Sequence, residues 1–434
     1  MKYIFIFFFA SIIYSCKTIG QITQKQIDVF LNDTALRSGH VGISIYEPAT
    51  KKYLYNYNAE KNFTPSSNVK LFTMYAAMKY LGDSLVGLRY TEFLNNIVVT
   101  PTGDPTLLHP DFLKQPVVDF LKTSTKQINI RDENFSSKAY GNGWVWNDYQ
   151  DYYMAERSTL PVYGNCIIFF CKKNVCQTIP INASNFVSLS QKKNIETSIE
   201  RDFFKNDFTI KLNNKTTETF ATPFITSLKL ATKLLGDTIH KEINIGFPTL
   251  PDSVSYNWKK MEIHSQPTDS LLQPMMHNSD NFFAEQTLLM VSNEKLGYMS
   301  DEDIIDTLLA TDFKDLPTKP RWVDGCGLSR YNLFSPKDFI YLLDKMKNEF
   351  GIERIKRILP TAGQGTLRGY YENAAGKIFA KTGSMSNNVS LSGYLYTQKN
   401  KLLLFSIQIN GYSGTGRAGS RAIEKMLQQI RENN

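Results

Sequence analysis

The period of hydrophobic and polar positions changes along the chain, and each change predicts a different element. Positions 41–46 alternate between apolar and polar side chains, which predicts a strand, and 52–57 predicts the strand that returns beside it. The stretch 68–81 is rich in Leu, Met and Ala and is followed by Gly82, which predicts a helix that ends there. Apolar residues at helical spacing predict further helices at 110–122, 223–235, 281–292, 301–310 and 336–347.

The two ends of the chain differ in pattern from its middle. The C-terminal part predicts three strands followed by a helix, at 378–384, 389–397, 402–408 and 418–431. Between 84 and 256 the pattern predicts mainly short strands, separated by turns rich in Asn, Ser and Thr. We therefore predict one α/β (α+β) domain built from residues 17–83 and 257–434, with a mostly β insertion at 84–256.

Composition restricts the class of protein. The chain has 434 residues, of which 42% are hydrophobic and 21% charged, as in ordinary folded proteins and unlike collagen-like or low-complexity chains. After the first fifteen residues no apolar run approaches the roughly 18 residues that span a bilayer, which excludes a polytopic membrane protein. The net charge of +8 is spread along the chain, which favours carboxylate-bearing partners and argues against nucleic acid.

The N-terminus predicts export. Met1-Lys2 is followed by an apolar run over 3–14 and then by Ser15-Cys16, the arrangement of a signal peptide over residues 1–16. Residues 13–16 resemble a bacterial lipobox, in which the cysteine becomes the lipidated first residue of the mature protein. We therefore expect an exported, periplasmic protein tethered to a membrane surface through a lipid on Cys16, with secretion without lipid as the alternative.

The remaining cysteines do not indicate a metal site. Cys166, Cys171, Cys176 and Cys326 form no CxxC pair and have no histidine at ligand spacing. Buried free thiols are the default interpretation. In an oxidising compartment, however, Cys171 and Cys176 would face each other across a hairpin that turns at 172–174, which leaves a disulfide open.

Three short motifs carry candidate chemistry, beginning with an SxxK pattern at Ser67 and Lys70. SxxK recurs at Ser190 and Ser292, but only Ser67 follows a Pro-containing loop and opens a strongly helical stretch. On a helix, side chains three positions apart share one face, so Lys70 can reach the Ser67 hydroxyl. Lys70 can act as a base only if its pKa falls, through burial or through a nearby cation such as Lys381. A serine in this position is otherwise a plain helix cap.

The other two motifs are an SxN pattern and a KTG sequence. Ser279 and Asn281 precede a helix and can aim a hydroxyl and an amide into a cleft, although capping alone would explain them. Lys381, Thr382, Gly383 and Ser384 lie on a predicted strand. At a sheet edge, that strand can pair with an extended peptide, and Gly383 would allow close backbone approach. Thr382 could hold a carboxylate, and the Ser384 N–H could join that of Ser67 in an oxyanion hole. A turn into a surface strand is the plainer interpretation.

In the order SxxK, SxN and KTG, the motifs are the signature of penicillin-recognising serine acyltransferases. The chain resembles most closely the class C low-molecular-mass penicillin-binding proteins, the D-alanyl-D-alanine carboxypeptidase/endopeptidase family. The resemblance rests on stretches that span most of the chain: PSSNVKLFTMYAAMKYLG, GDPTL, GWVWNDY, SDNFFAEQ, VDGCGLSRYNLFSP, LPTAGQGTLRG and FAKTGSMSNNVSLSGY. Cys326 departs from the family pattern, which usually has a small residue there.

This resemblance implies both fold and function. It implies a transpeptidase domain like that of penicillin-binding proteins and serine β-lactamases, an antiparallel sheet flanked by helices. It implies that Ser67 is acylated and that Lys70 is the base. Ser279, Asn281 and Lys381 would complete the proton-transfer and binding network, and the substrate strand would be lined by Thr382, Gly383 and Ser384.

The implied activity is that of an exported serine D-alanyl-D-alanine carboxypeptidase and DD-endopeptidase. Its substrates would be peptidoglycan stem peptides, β-lactams would inhibit it by acylation, and neither a metal nor a cofactor is implied. Two alternatives remain at this point. One is a serine β-lactamase, and the other is a catalytically idle peptidoglycan-binding protein on the same fold.

Overall fold

A computed structural model of the protein describes residues 24–172, 175–190, 196–213, 217–248 and 259–434. The predicted signal peptide, Cys16 and positions 173–174 of the predicted turn lie outside these residues. Within them, no helix is both long enough and apolar enough to cross a membrane.

Strands and helices are distributed over the whole described chain. The strands are β1 (His40–Glu47), β2 (Lys52–Tyr57), β3 (Ser84–Phe93), β4 (Asn96–Pro101), β5 (Gln127–Ile130), β6 (Cys166–Lys172), β7 (Val175–Ile179), β8 (Val187–Leu189), β9 (Ser198–Arg201), β10 (Phe208–Lys211), β11 (Thr217–Pro223), β12 (Ile243–Ile245), β13 (Met261–Pro267), β14 (Ile378–Met385), β15 (Asn388–Tyr396) and β16 (Leu402–Asn410). The helices are α1 (Gln24–Leu31), α2 (Lys70–Tyr80), α3 (Pro116–Thr123), α4 (Leu228–Ile239), α5 (Thr268–His277), α6 (Asn281–Leu296), α7 (Asp301–Ala310), α8 (Pro336–Phe350), α9 (Ile352–Ile358) and α10 (Gly416–Asn433).

The two chain ends build one antiparallel sheet of five strands, in the order β14-β15-β16-β1-β2. Val41 lies opposite Ile409, so the first strand of the described chain pairs with the last. Because helices cover both faces, β15 and β16 are buried along most of their length. Helix α10 packs on one face, and α8 packs on the other together with α2 and α6. The predicted antiparallel sheet flanked by helices is confirmed.

The middle of the chain forms further sheets, with a core of their own. A mixed sheet of five strands runs in the order β12-β5-β4-β3-β13, and two sheets of three strands run β11-β6-β7 and β8-β10-β9. Strand β13 lies beyond the predicted boundary at 257 and pairs with β3 of the middle region. The division into domain and insertion stays a prediction.

One cysteine prediction is settled by the hairpin of β6 and β7. Cys171 and Cys176 are register partners in this hairpin and form a disulfide. The default interpretation of these two cysteines as free thiols was therefore wrong, because the antiparallel register brings their side chains together across the strands. Cys166 and Cys326 are buried and free.

Candidate active site

Ser67 lies in a tight 3-10 turn, Ser66–Val69, which leads directly into α2. Helix α2 is apolar around most of its circumference and is buried from Lys70 to Met78, because α5, α6 and α8 pack against it. Ser66 has a left-handed backbone with φ of 50°. Gly327 packs so closely on this turn that a Cβ atom there would lie 2.0 Å from the Ser66 carbonyl oxygen. The buried helix and the neighbouring loop thus fix the position of Ser67.

Lys70 lies one turn along and is completely buried. Its Nζ is 3.0 Å from the Ser67 Oγ, and it donates to the Asn281 Oδ1 at 2.6 Å and to the Cys326 carbonyl oxygen at 2.7 Å. Burial lowers the pKa of Lys70, and carboxylates nearby, among them Asp280, partly oppose this shift. A neutral amine has two N–H groups and one lone pair. With Asn281 and Cys326 taking both N–H groups, its lone pair is left facing the Ser67 hydroxyl.

The SxN motif forms the opposite side of the site. Ser279 has a left-handed backbone with φ of 57°, and Asp280 caps α6 by accepting from the Phe283 N–H at 2.8 Å. Asn281 is the first residue of α6. Its Nδ2 donates to the Tyr153 carbonyl at 3.0 Å, which fixes the orientation of the amide that meets Lys70. The motif therefore caps a helix and also projects two polar side chains into the site.

Lys381 extends from β14, an edge strand of the main sheet. Its Nζ donates to the Ser279 Oγ at 2.9 Å and to the Thr382 carbonyl at 2.7 Å. Lys381 is fully buried, and burial together with the positive charge of Lys70 holds the pKa of Lys381 well below its ordinary value. The SxxK, SxN and KTG motifs therefore meet at one place.

Alternate residues of β14 point in opposite directions. Thr382 and Ser384 line a cavity of about 380 Å³ that is also lined by Ser67 and Ser279. Gly383 faces the other way, where a Cβ atom would lie 2.3 Å from the Ser390 Oγ and 2.6 Å from the Pro65 carbonyl oxygen, so Gly383 packs against the protein's own chain. Its small size lets the edge strand approach the turn that carries Ser67.

The structure adds side chains that the motifs did not indicate. The Cys326 N–H donates to the Glu285 Oε1 at 2.7 Å, and Glu285 forms a buried ion pair with Arg157 at 2.6 Å. Asp324 accepts from the Gly327 N–H at 2.8 Å. These contacts fix the loop whose carbonyl holds Lys70. Glu285 and Asp324 belong to stretches that carry the family resemblance, whereas no sequence signal pointed to Arg157.

Cys326 takes part through its main chain. Burial raises the pKa of the Cys326 thiol well above its usual range, which makes the thiol a poor nucleophile. Cys326, Glu285 and Asp324 bring possible metal-ligating atoms within 4.8 Å of one another. Both carboxylates, however, accept hydrogen bonds from the protein, including those from Arg157 and from the Trp144 indole.

Comparison with known proteins decides the family. The family model for D-Ala-D-Ala carboxypeptidase 3 (S13) matches residues 23–434, almost the whole chain.

The chain belongs to the S13 D-Ala-D-Ala carboxypeptidase family.

It is therefore a serine-type D-alanyl-D-alanine carboxypeptidase, and the family predicted from the motifs is confirmed. The D-alanyl-D-alanine carboxypeptidase DacB of Haemophilus influenzae is 24% identical over 480 residues, covering 98% of this chain and 96% of the relative.

Solved structures from Haemophilus influenzae share the fold. Penicillin-binding protein 4 (dacB) superimposes with a TM-score of 0.72 at 21% identity and covers 93% of this chain and 98% of its own. The same protein in complex with a β-lactam gives a TM-score of 0.66 at 19% identity, covering 94% of this chain and 98% of its own. The fold predicted from the family resemblance thus agrees with that of solved relatives.

Proposed function

We propose that this S13 enzyme cleaves the terminal D-Ala–D-Ala bond of peptidoglycan stem peptides through an acyl-enzyme on Ser67. The observation that carries the proposal is the 3.0 Å contact between the Ser67 Oγ and the Lys70 Nζ. Since Asn281 and the Cys326 carbonyl occupy the other positions around Nζ, a neutral Lys70 has only the Ser67 proton to accept.

The first step is acylation. Lys70 takes the hydroxyl proton while the Ser67 Oγ attacks the carbonyl carbon of the penultimate D-Ala. The backbone N–H groups of Ser67 and Ser384 stabilise the negative charge that develops on the carbonyl oxygen. As the peptide bond breaks, the proton passes through the Ser279 hydroxyl, which contacts Lys381, to the amine of the leaving D-Ala. Water then hydrolyses the Ser67 ester and releases the shortened peptide.

We assign substrate binding to the C-terminal part of the β14 edge, because Thr361 and the Pro360 carbonyl already pair with the first residues of the strand. An extended peptide can add to this edge as a further strand, with its main chain paired to the protein. Thr382 and Ser384 line the cavity there, and the Thr382 hydroxyl is 2.8 Å from the Thr366 hydroxyl, so two neighbouring hydroxyls are available for the terminal carboxylate. The buried amine of Lys381 lies nearby, 2.7 Å from the Thr382 carbonyl oxygen. Gly383 supports this arrangement by holding the strand close to Ser67.

The same site also suits two further reactions. If the leaving group is a cross-linked partner strand instead of free D-Ala, the identical steps give DD-endopeptidase activity. A β-lactam would acylate Ser67 through its strained amide, in keeping with the β-lactam complex of the Haemophilus influenzae relative. We place the enzyme outside the cytoplasm, anchored at a membrane surface by a lipid on Cys16, because the N-terminal sequence has the pattern of a lipoprotein signal.

The test is release of D-Ala from a synthetic stem pentapeptide that ends in D-Ala–D-Ala. We expect the wild type to release D-Ala and Ser67→Ala to lose on the order of 10⁴-fold or more in rate, because it has no nucleophile. Ser190→Ala, in a second SxxK sequence, should keep the wild-type rate. Release by Ser67→Ala at a rate comparable to wild type would refute the proposal.

A further inference from the structure

A group of aromatic side chains lies on the surface beside the catalytic cavity. Trp146 is 72% exposed, Phe203 43% and Phe204 83%. Tyr149 completes the group, which we call the aromatic surface. The Trp146 and Phe203 ring centroids are 6.0 Å apart, those of Tyr149 and Phe203 4.8 Å, and those of Phe203 and Phe204 4.9 Å, all edge to face. Such rings are usually buried, so their grouping in solvent points to a partner.

The aromatic surface is held in place by hydrogen bonds between two chain segments. Phe203 and Phe204 follow β9, whereas Trp146 and Tyr149 come from a stretch that precedes it by some fifty residues. The Tyr149 hydroxyl donates to the Arg201 carbonyl at 2.9 Å, and the buried Arg201 guanidinium donates to the Tyr149 carbonyl at 3.1 Å and lies over its ring. A fixed surface of this kind binds without the cost of ordering loose side chains.

The segment that carries Trp146 and Tyr149 also lines the catalytic cavity. Val145, next to Trp146, and Tyr152 both line that cavity, and Val145 is 40% and Tyr152 65% exposed. A substrate whose stem peptide occupies the cavity would therefore bring the polymer that carries the peptide close to the aromatic surface. Peptidoglycan stem peptides are carried by a chain of sugar rings, whose apolar faces stack on aromatic side chains.

The charges around the aromatic surface favour a glycan over a membrane as its partner. The exposed charges on the segments that bear the aromatic surface are mainly acidic, namely Asp151, Asp202 and Asp207, and the nearby Lys205 is paired with Asp207. Surfaces that bind anionic lipids instead carry clustered Lys and Arg. An acidic rim disfavours such a membrane and leaves a neutral sugar chain unaffected.

We propose that the aromatic surface binds the glycan strand of the substrate, with sugar rings stacking on Trp146 and Phe204. This inference rests on the proposed function for the nature of the substrate, and it assigns to the middle region of the chain a part in recognising polymeric substrate. The residues of the aromatic surface take no part in the chemical step. They would favour substrate attached to glycan over free peptide.

The test uses the double variant Trp146→Ala/Phe204→Ala, with Phe170→Ala as the matched control. Phe170 is 43% exposed and lies on β6, away from the cavity. Each protein is assayed for D-Ala release from the soluble pentapeptide. In a Ser67→Ala background, each is also assayed for cosedimentation with purified peptidoglycan sacculi and with phosphatidylglycerol vesicles. We expect the double variant to keep the peptide kcat/KM and to bind sacculi about tenfold more weakly, while the control matches the parent in both assays.

Three results would overturn the inference: unchanged binding of the double variant to sacculi, loss of its peptide activity, or a defect that appears only with phosphatidylglycerol vesicles. The last result would assign the surface to a membrane. The binding assay uses protein without Ser67 and so does not depend on turnover. If the wild type fails to release D-Ala from the peptide, the proposed function fails, and sacculus binding still reports on the aromatic surface.

Discussion

Two buried lysines lie in the site, one in contact with Ser67 and the other with Ser279, and their surroundings differ. Lys70 donates to a side-chain amide and to a main-chain carbonyl, and the carboxylates of Asp280, Asp324 and Glu285 raise its pKa against the effect of burial. Lys381 donates to a hydroxyl and to a carbonyl, and the charge of Lys70 adds to the effect of burial in lowering its pKa.

The difference suggests a division of labour. Burial favours the neutral form of both amines, and at Lys70 the nearby carboxylates oppose this effect. A general base needs a pKa near the working pH and direct contact with the proton that it removes. Lys70 has that contact with Ser67, whereas Lys381 contacts Ser279. We therefore assign proton abstraction to Lys70, and substrate binding and proton relay to Lys381.

Replacing each lysine in turn should have the largest effect on the acylation rate. We expect Lys70→Met to lower the rate of acylation by a fluorescent penicillin by about 10³-fold or more, since it removes the base. Lys381→Met should cost on the order of 10²-fold or less, since Ser67 keeps its proton acceptor. Methionine preserves chain length and suits a buried site, and thermal unfolding of each variant checks the fold. Equal losses, or the reverse order, would contradict the assignment.

Removing a carboxylate near Lys70 should make its surroundings more like those of Lys381. Because the Glu285 carboxylate raises the pKa of Lys70, Glu285→Gln should lower that pKa further. The acylation rate, which requires neutral Lys70, should then begin its rise at lower pH than in the wild type. The variant also breaks the buried pair with Arg157, which should cost about 3 kcal/mol in the free energy of unfolding.

The pH profile of acylation and urea unfolding measure these two effects of Glu285→Gln. The control is Glu262→Gln, which removes a more exposed partner of Arg89 and should change stability by about 1 kcal/mol or less and leave the profile in place. A profile that stays fixed in Glu285→Gln, or moves to higher pH, would show that this carboxylate does not tune Lys70.

The disulfide should have the smallest effect on the site. It closes a short loop, with Cys171 and Cys176 five positions apart, and neither residue lines the cavity. Replacing both cysteines by serine should therefore cost about 2 kcal/mol or less in the free energy of unfolding and leave acylation unchanged. Urea unfolding and penicillin labelling provide the measurements. A loss of acylation would mean that the middle sheets control the site more tightly than the contacts indicate.

Much of the main domain could be predicted from its sequence. Strand β2 begins and ends where the returning strand was predicted, and α8 begins at Pro336 because the preceding serine caps it. Helix α5 was missed because it contains Pro274, a residue that normally ends a helix. Helix α4 begins at Leu228, later than predicted, because Pro223 ends β11 and Ser227 provides the cap.

The site was predictable where side chains make the contacts and unpredictable where the main chain does. Ser67, Lys70, Ser279, Asn281 and Lys381 were found from motif spacing, and the structure brings them together. The carbonyl of Cys326 holds Lys70, but any residue has a carbonyl, so no side chain signals this role. The pairing of Arg157 with Glu285 depends on tertiary packing between distant parts of the chain.

The most direct test of the central claim, acylation at Ser67 with Lys70 as base, is intact mass spectrometry after incubation with benzylpenicillin. We predict a single covalent adduct on the wild type and on Ser190→Ala, and none on Ser67→Ala. Peptide mapping of the wild-type adduct should locate it on the peptide that contains Ser67. An adduct on Ser67→Ala, or on another peptide of the wild type, would contradict the account.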